Sequence, residues 1–198
     1  MIVIAATKNN GKLKELNRVM SDYDITLISM KDAEIAVEIV EDGTTFEENA
    51  LIKARTLHKI TGKPVISDDS GICVNCLDGR PGVYSARYGG EDLPYPKKMQ
   101  KLIDEIAAKN TTDRSAYYSC VIVYIDKDSK EYIFNGRCDG KIGYEPKGDS
   151  GFGYDPIFVV GEKTMAEMTD EEKDEISHRG KALRLLANNL PEIIKNAE

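Results

Sequence analysis

The sequence predicts an α/β fold, and three observations lead there. A short β-branched run at Met1–Ala6 enters a helical pattern with Leu13, Leu16 and Met20 on one face. A second helical pattern, opened at Thr45, is stopped by Gly62 and Pro64 and followed at once by the apolar run Val65–Ile66. The stretch Ala116–Ile125, rich in tyrosine and β-branched residues, reads as the longest strand. At 198 residues the chain is long enough for one good core or two modest lobes, and it reads as a single domain over 1–198. Its 41% apolar and 31% charged content sets it apart from disordered chains.

The formal net charge of −7 argues against non-specific nucleic-acid binding and against an anionic membrane surface. A phosphate ligand must therefore be held by a few placed cations or a metal. The longest apolar run, Cys120–Ile125, is far too short to span a bilayer. MIVIAATKNN lacks the charged region and cleavage pattern of a signal peptide, so the expected compartment is the cytosol. Cys73 and Cys76 fall in an alternating, strand-like segment with no second close pair. All four cysteines (with Cys120 and Cys138) read as small apolar residues in a reducing compartment.

Taken in order, the first strand runs into Thr7-Lys8-Asn9-Asn10-Gly11-Lys12 and a helix N-terminus. Turn N–H groups, the helix dipole and the Lys12 charge together favour an anion, although a plain capped helix start reads equally well. The GxxxxGK[ST] spacing of a P-loop is missing. Residues 22–40 alternate weakly and supply a second strand. Glu41, Asp42 and Gly43 precede a helix whose Thr45 and Glu48 form a capping-box pattern. Phe46, Ala50, Ala54, Leu57 and Ile60 line its apolar face, and Lys53 lies off it.

The organising stretch is Ser67–Gly90, SDDSGICVNCLDGRPGVYSARYGG. It reads as a buried strand delivering Asp68 and Asp69 into a turn at Ser70-Gly71, with only one aspartate facing a shared site. Glycines and Pro81 punctuate its second half, with Arg80 and Arg87 between them, as in a shaped loop over a pocket. A helix after Pro94 and Pro96 buries Met99, Leu102, Ile103 and Ile106. Asp126-Lys127-Asp128-Ser129 turns the long strand back into Glu131–Asn135, and the loop GDSGFGYDP leads to a strand at Ile157–Val160. In that loop Phe152 or Tyr154 can stack on a base, and the glycines let backbone approach it. Ser177 caps a last helix whose first turn holds His178 and Arg179, a place where cations oppose the dipole unless an acid or ligand compensates.

SDDSG followed by GRPGVYSARY resembles the signature of the Ham1-like inosine triphosphate pyrophosphatases. The T-x-N-x-x-K turn, GFGYDP and ISHR extend the resemblance over nearly the whole chain. It implies a long, mixed, twisted sheet flanked by helices, with two lobes and an active-site cleft, usually as a homodimer. The implied reaction is Mg²⁺-dependent hydrolysis of noncanonical purine nucleoside triphosphates (ITP, dITP, XTP) to the monophosphate and pyrophosphate, which cleanses the nucleotide pool. It implies phosphate binding by Thr7, Lys8, Asn9, Asn10, Gly11 and Lys12, with Lys53 and Ser70 nearby. Phe152, Gly153, Tyr154, Asp155, Lys173, His178 and Arg179 fall to the nucleoside. Relatives begin their metal-binding acidic turn with glutamate where this chain has Val40, which makes Glu41 the candidate ligand beside Asp69.

The residues make chemical sense of this. Asp69 can orient or deprotonate a water while ligating Mg²⁺, with Asp68 the alternative base, and oxygen ligands suit Mg²⁺ better than Zn²⁺. Lys173, His178 and Arg179 supply donors for the O6 acceptor of a 6-oxo purine. Two rivals remain: a nucleotide sensor that does not turn over, and a phosphohydrolase releasing orthophosphate from the γ position.

Overall fold

The computed structural model describes residues 1–21, 23 and 25–196. Its strands are β1 (Ile2–Ala5), β2 (Thr26–Ser29), β3 (Val65–Val74), β4 (Ser115–Ile125), β5 (Glu131–Ile142), β6 (Phe158–Val160) and β7 (Lys163–Thr164). Its helices are α1 (Asn10–Met20), α2 (Phe46–Thr61), α3 (Tyr95–Ala108), α4 (Asp170–Ile176) and α5 (His178–Asn196). The strands form one sheet in the order β2-β1-β3-β4-β5-β6-β7. β1 pairs in parallel with β2 and β3, whereas β6 pairs antiparallel with β5 and β7. The sheet is therefore mixed, as expected, and it is flanked by helices.

The chain forms two compact units. The first comprises 1–69, 120–136 and the last helix from His178. The second comprises 70–119 and 137–177. In the first unit, strand alternation splits the apolar residues between two layers. Val3, Ala5, Cys120, Ile122 and Tyr124 pack with Leu16 and Met20 of α1 and Leu183, Leu186 and Leu190 of α5. Ile4, Val121, Val123 and Ile125 pack instead with Ala50, Ala54 and Leu57 of α2. Leu57 is completely buried, which contributes about 2–3 kcal/mol by transfer from water. The start of α5 rides directly on β5, since a Cβ at Gly136 would collide with the His178 carbonyl oxygen. Any side chain there would push the helix away.

α2 begins and ends as its sequence dictates. The Thr45 side chain accepts from the Glu48 N–H, Glu48 reaches back to the Thr45 N–H, and Gly62 closes the helix at φ 62°. Ile60, expected on the apolar face, is instead 55% exposed in the last turn.

In the second unit α3 lays Met99, Leu102, Ile103 and Ile106 against Ile72, Val74, Tyr118 and Phe158. Tyr118 and Phe158 meet edge to face, with centroids 4.7 Å apart. Three local expectations are corrected here. Ser70-Gly71 is no turn: β3 runs on to Val74, so both aspartates sit mid-strand. Cys76 lies in a 3-10 turn at Asn75–Leu77 rather than in a strand. The strand expected from Ile157 starts at Phe158, after a 3-10 turn over Asp155–Ile157.

Candidate active site

The acidic core of the first unit is built by β3, α1, α2 and α5. On β3 the side chains of Asp68 and Asp69 point apart, as neighbours on a strand must. The Asp68 carboxylate is completely buried. Its Oδ2 lies 3.0 Å from Lys12 Nζ and accepts from Arg179 Nε and Nη2, both at 3.1 Å. Arg179 Nη1 reaches a second buried carboxylate, Glu15. Burial would push the Asp68 carboxyl up. The charges of Lys12, Arg179 and Lys53 outweigh that and hold it well below the usual carboxylate range. The Arg179 charge at the start of α5 is thus compensated by acids.

Asp69 faces Lys53, whose ammonium donates to Asp69 Oδ1 at 3.1 Å and to Glu41 Oε2 at 2.5 Å. Asp69 Oδ2 is buried and has no hydrogen-bond partner among the described residues. Burial raises the Asp69 carboxyl above its ordinary value, against the pull of Lys53 and Lys12, and the neighbouring Asp68 and Glu41 charges add to the rise. For Lys53 burial works downward, but Asp69 and Glu41 prevail and raise it, so it stays charged. The acidic turn bearing Glu41 is clamped at its end, where the Gly43 N–H donates to buried Asn49 Oδ1 at 2.9 Å. A Cβ at Gly43 would lie 2.7 Å from that oxygen. Glycine is needed for the fit.

The phosphate-type turn is present with a modification. Asn9 caps α1, its Oδ1 accepting from the Gly11 and Lys12 N–H groups at 2.9 and 3.2 Å, and Thr7 Oγ1 accepts from the Asn9 N–H at 3.1 Å. Three turn amides are therefore already engaged by side chains. Thr7, Lys8, Asn9 and Asn10 border a cavity of about 640 Å³ floored by Leu13 and Met30.

The second unit gathers the GFGYDP loop and Lys173. Asp155 Oδ2 accepts from the Phe152 N–H at 2.8 Å and from Lys173 Nζ at 2.7 Å, and Lys173 Nζ sits 4.8 Å from the Phe152 ring centroid. Both partners of the ion pair are buried. Tyr154 corrects the expectation of two interchangeable stacking rings. It is 2% exposed, edge-on to Tyr95 at 5.5 Å, and its hydroxyl donates to the Ser85 carbonyl oxygen at 2.9 Å. Phe152 keeps the half-exposed ring. Ser70 opens this unit on β3, half-buried.

Of the expected site residues, the first unit thus brings Lys12, Glu41, Lys53, Asp69 and Arg179 into one charge cluster with Asp68; Arg179, expected to face the nucleoside, is instead buried against Asp68 and Glu15. His178 lies buried at the start of α5. Glu15 and Asn49 escaped notice in the sequence; an acid beside the apolar face of α1 was the one signal for Glu15.

A model of the Ham1 family matches residues 3–189 of the chain. The chain belongs to the Ham1 family. Similar proteins include one of Geobacter sulfurreducens, named dITP/XTP pyrophosphatase, 45% identical over 190 residues that cover 95% of this chain and 96% of its own. A protein of the same name from Escherichia coli K12 is 45% identical over 193 residues, covering 95% and 97%. The solved HAM1 protein of Coxiella burnetii superposes with a TM-score of 0.89 at 39% identity, covering 97% of this chain and 99% of that one. The Staphylococcus aureus Ham1 protein gives 0.87 at the same identity. The α/β fold expected from the sequence is the Ham1 fold.

Proposed function

We propose that this Ham1-family chain hydrolyses dITP, XTP and ITP to the nucleoside monophosphate and pyrophosphate. Relatives at 45% identity carry the name dITP/XTP pyrophosphatase. Within the chain, the observation that carries the reading is the buried, partnerless Asp69 Oδ2 beside Lys53. Lys53 fixes Oδ1 and leaves Oδ2 to take a proton from an attacking water. The geometry suits a general base, one oxygen fixed by an ammonium and the other left for a water. Asp68 is tied to Lys12 and Arg179 and is the poorer base. Lys12, Lys53 and the Thr7–Gly11 turn neutralise charge on the phosphate chain.

Asp69 and Glu41 are the groups suited to hold Mg²⁺. Their hard oxygen ligands and the unpartnered Asp69 Oδ2 fit that ion. No group of three or more His, Cys, Asp or Glu suited to a metal occurs among the described residues, and Asp69 and Glu41 would hold the ion together with oxygens of substrate and water. When bound, Mg²⁺ supplies positive charge at the phosphates and lowers the pKa of a bound water.

The Phe152, Asp155 and Lys173 group is the one suited to a purine. Phe152 offers a ring face, and lysine, a donor only, suits the O6 of hypoxanthine or xanthine and leaves an adenine amino group unsatisfied. A site whose donors lose their partners rejects the wrong base strongly. The enzyme acts as a cytoplasmic homodimer in this reading; no helix among the described residues is long and apolar enough to cross a membrane. Phosphorus NMR of the products with dITP tests the reaction. Pyrophosphate and dIMP are expected; orthophosphate with dIDP would make it a γ-phosphohydrolase, and no turnover would leave a sensor.

A further inference from the structure

Lys98 is a buried cation with an unusual set of partners. It is 2% exposed, on α3, and no carboxylate among the described residues neutralises it. Its ammonium donates to the Ala86 carbonyl oxygen and, at 3.5 Å, to that of Glu91, and it lies 5.3 Å from the centroid of the Tyr95 ring. Burying an ammonium is costly unless its donors are satisfied, so these carbonyls and the ring are held where the charge needs them. One residue before Ala86, Ser85 joins three segments. Its Oγ accepts from the Ile72 N–H of β3 at 2.9 Å and donates to the Gly82 carbonyl oxygen at 2.6 Å. Its own carbonyl takes the Tyr154 hydroxyl.

A second route leads from Lys98 to the same loop. The Tyr95 ring under its ammonium stands edge-on to Tyr154 and lies 3.6 Å from where a Cβ on Gly153 would be. Both routes end on the peptide between Phe152 and Asp155.

We propose that Lys98 is a positioning residue for the loop that carries Phe152 and Asp155. It sets purine selectivity without touching the substrate, by fixing the 82–91 segment and the Tyr95 ring against Tyr154. The inference rests on the assignment of that loop to the base. Lysine rather than an apolar residue is required because two carbonyls turned inward need a donor.

The test compares Lys98→Met, Lys98→Arg and Tyr154→Phe with the unaltered enzyme on dITP and dATP, which differ at position 6 of the purine. Lys98→Met is expected to raise KM for dITP and lower the dITP/dATP ratio of kcat/KM about tenfold, the scale of one or two lost buried hydrogen bonds, with kcat nearly unchanged. Lys98→Arg, which keeps donors and charge, should restore most of the ratio. Tyr154→Phe should lower the ratio similarly, and the double variant Lys98→Met/Tyr154→Phe should add little to either. An unchanged ratio in Lys98→Met, or equal losses of kcat on both nucleotides, overturns the proposal. If Lys98→Met does not fold, an unchanged ratio in Tyr154→Phe, which cuts the same connection to the loop, overturns it as well. Failure of the unaltered enzyme to prefer dITP over dATP would instead remove the base assignment itself.

Discussion

Asp68 and Asp69 are chain neighbours whose carboxylates serve different cations. Asp68 is locked between Lys12 and Arg179, and Asp69 shares Lys53 with Glu41. The pleat of β3 divides them, so one strand position anchors a buried ion cluster and the next faces Lys53 and Glu41.

Asp69→Asn keeps the size of the side chain and removes its capacity to take a proton. Hydrolysis of dITP is expected to fall by at least ~10²-fold, with nucleotide binding retained. Steady-state kinetics beside a binding titration checks this. Near-normal turnover in this variant would take the base role from Asp69.

Asp68→Asn acts first on stability. It leaves the Arg179 guanidinium buried with one fewer anion, and breaking a buried pair costs about 3–5 kcal/mol. Urea unfolding should show the loss as a lower midpoint, and turnover per folded molecule should fall less than in Asp69→Asn. A midpoint equal to that of the parent protein would mean the Asp68–Arg179 pair contributes little.

Removal of metal tests the Glu41 assignment. EDTA should abolish turnover and Mg²⁺ restore it. Glu41→Gln should raise the Mg²⁺ concentration for half-maximal rate, since a carboxylate binds this ion better than an amide does. The same Mg²⁺ dependence in parent and variant would move the ligand off Glu41.

Much of this architecture was legible because local chemistry and fold agree. Thr45, Glu48 and Gly62 mark both ends of α2, and Asn9 marks the start of α1. Ser70-Gly71 misled because Asp-Asp-Ser-Gly has turn composition, yet β3 lies between β1 and β4, and its ladder overrides that preference. Arg179 carried a visible sign, a cation at a helix N-terminus, but the sign did not name Glu15, 164 residues away. Tyr154 and Phe152 are alike in the sequence, and only packing against Tyr95 separates the buried ring from the half-exposed one.

The cysteines give a chemical check on burial. Burial, with the Asp68 charge behind it, pushes the Cys120 thiol up to about 12, and Cys76 alone is half-buried. In the native protein at pH 8, iodoacetamide should label Cys76 first and leave Cys120 unmodified until urea unfolds the chain. Mass spectrometry of the digested protein reads the order. Labelling of Cys120 as fast as Cys76 would contradict its place in the core.

Gly151 and Gly153 flank Phe152, and both have positive φ, 75° and 70°. Alanine at either site carries the same backbone strain, about 1–2 kcal/mol for a left-handed residue. The two differ in the surroundings of the new methyl. At Gly151 it would collide with Asp155 Oδ2, the oxygen that holds the Phe152 N–H and Lys173. At Gly153 its nearest neighbour is the Tyr95 ring at 3.6 Å, an ordinary contact. Gly151→Ala must therefore displace the carboxylate and release Lys173, while Gly153→Ala leaves both in place. The expected result is a KM for dITP raised about tenfold more in Gly151→Ala than in Gly153→Ala, with Gly151→Ala also the less thermally stable of the two because it breaks the buried Asp155–Lys173 pair. Equal KM values would show that the Asp155–Lys173 pair has no part in holding the nucleotide.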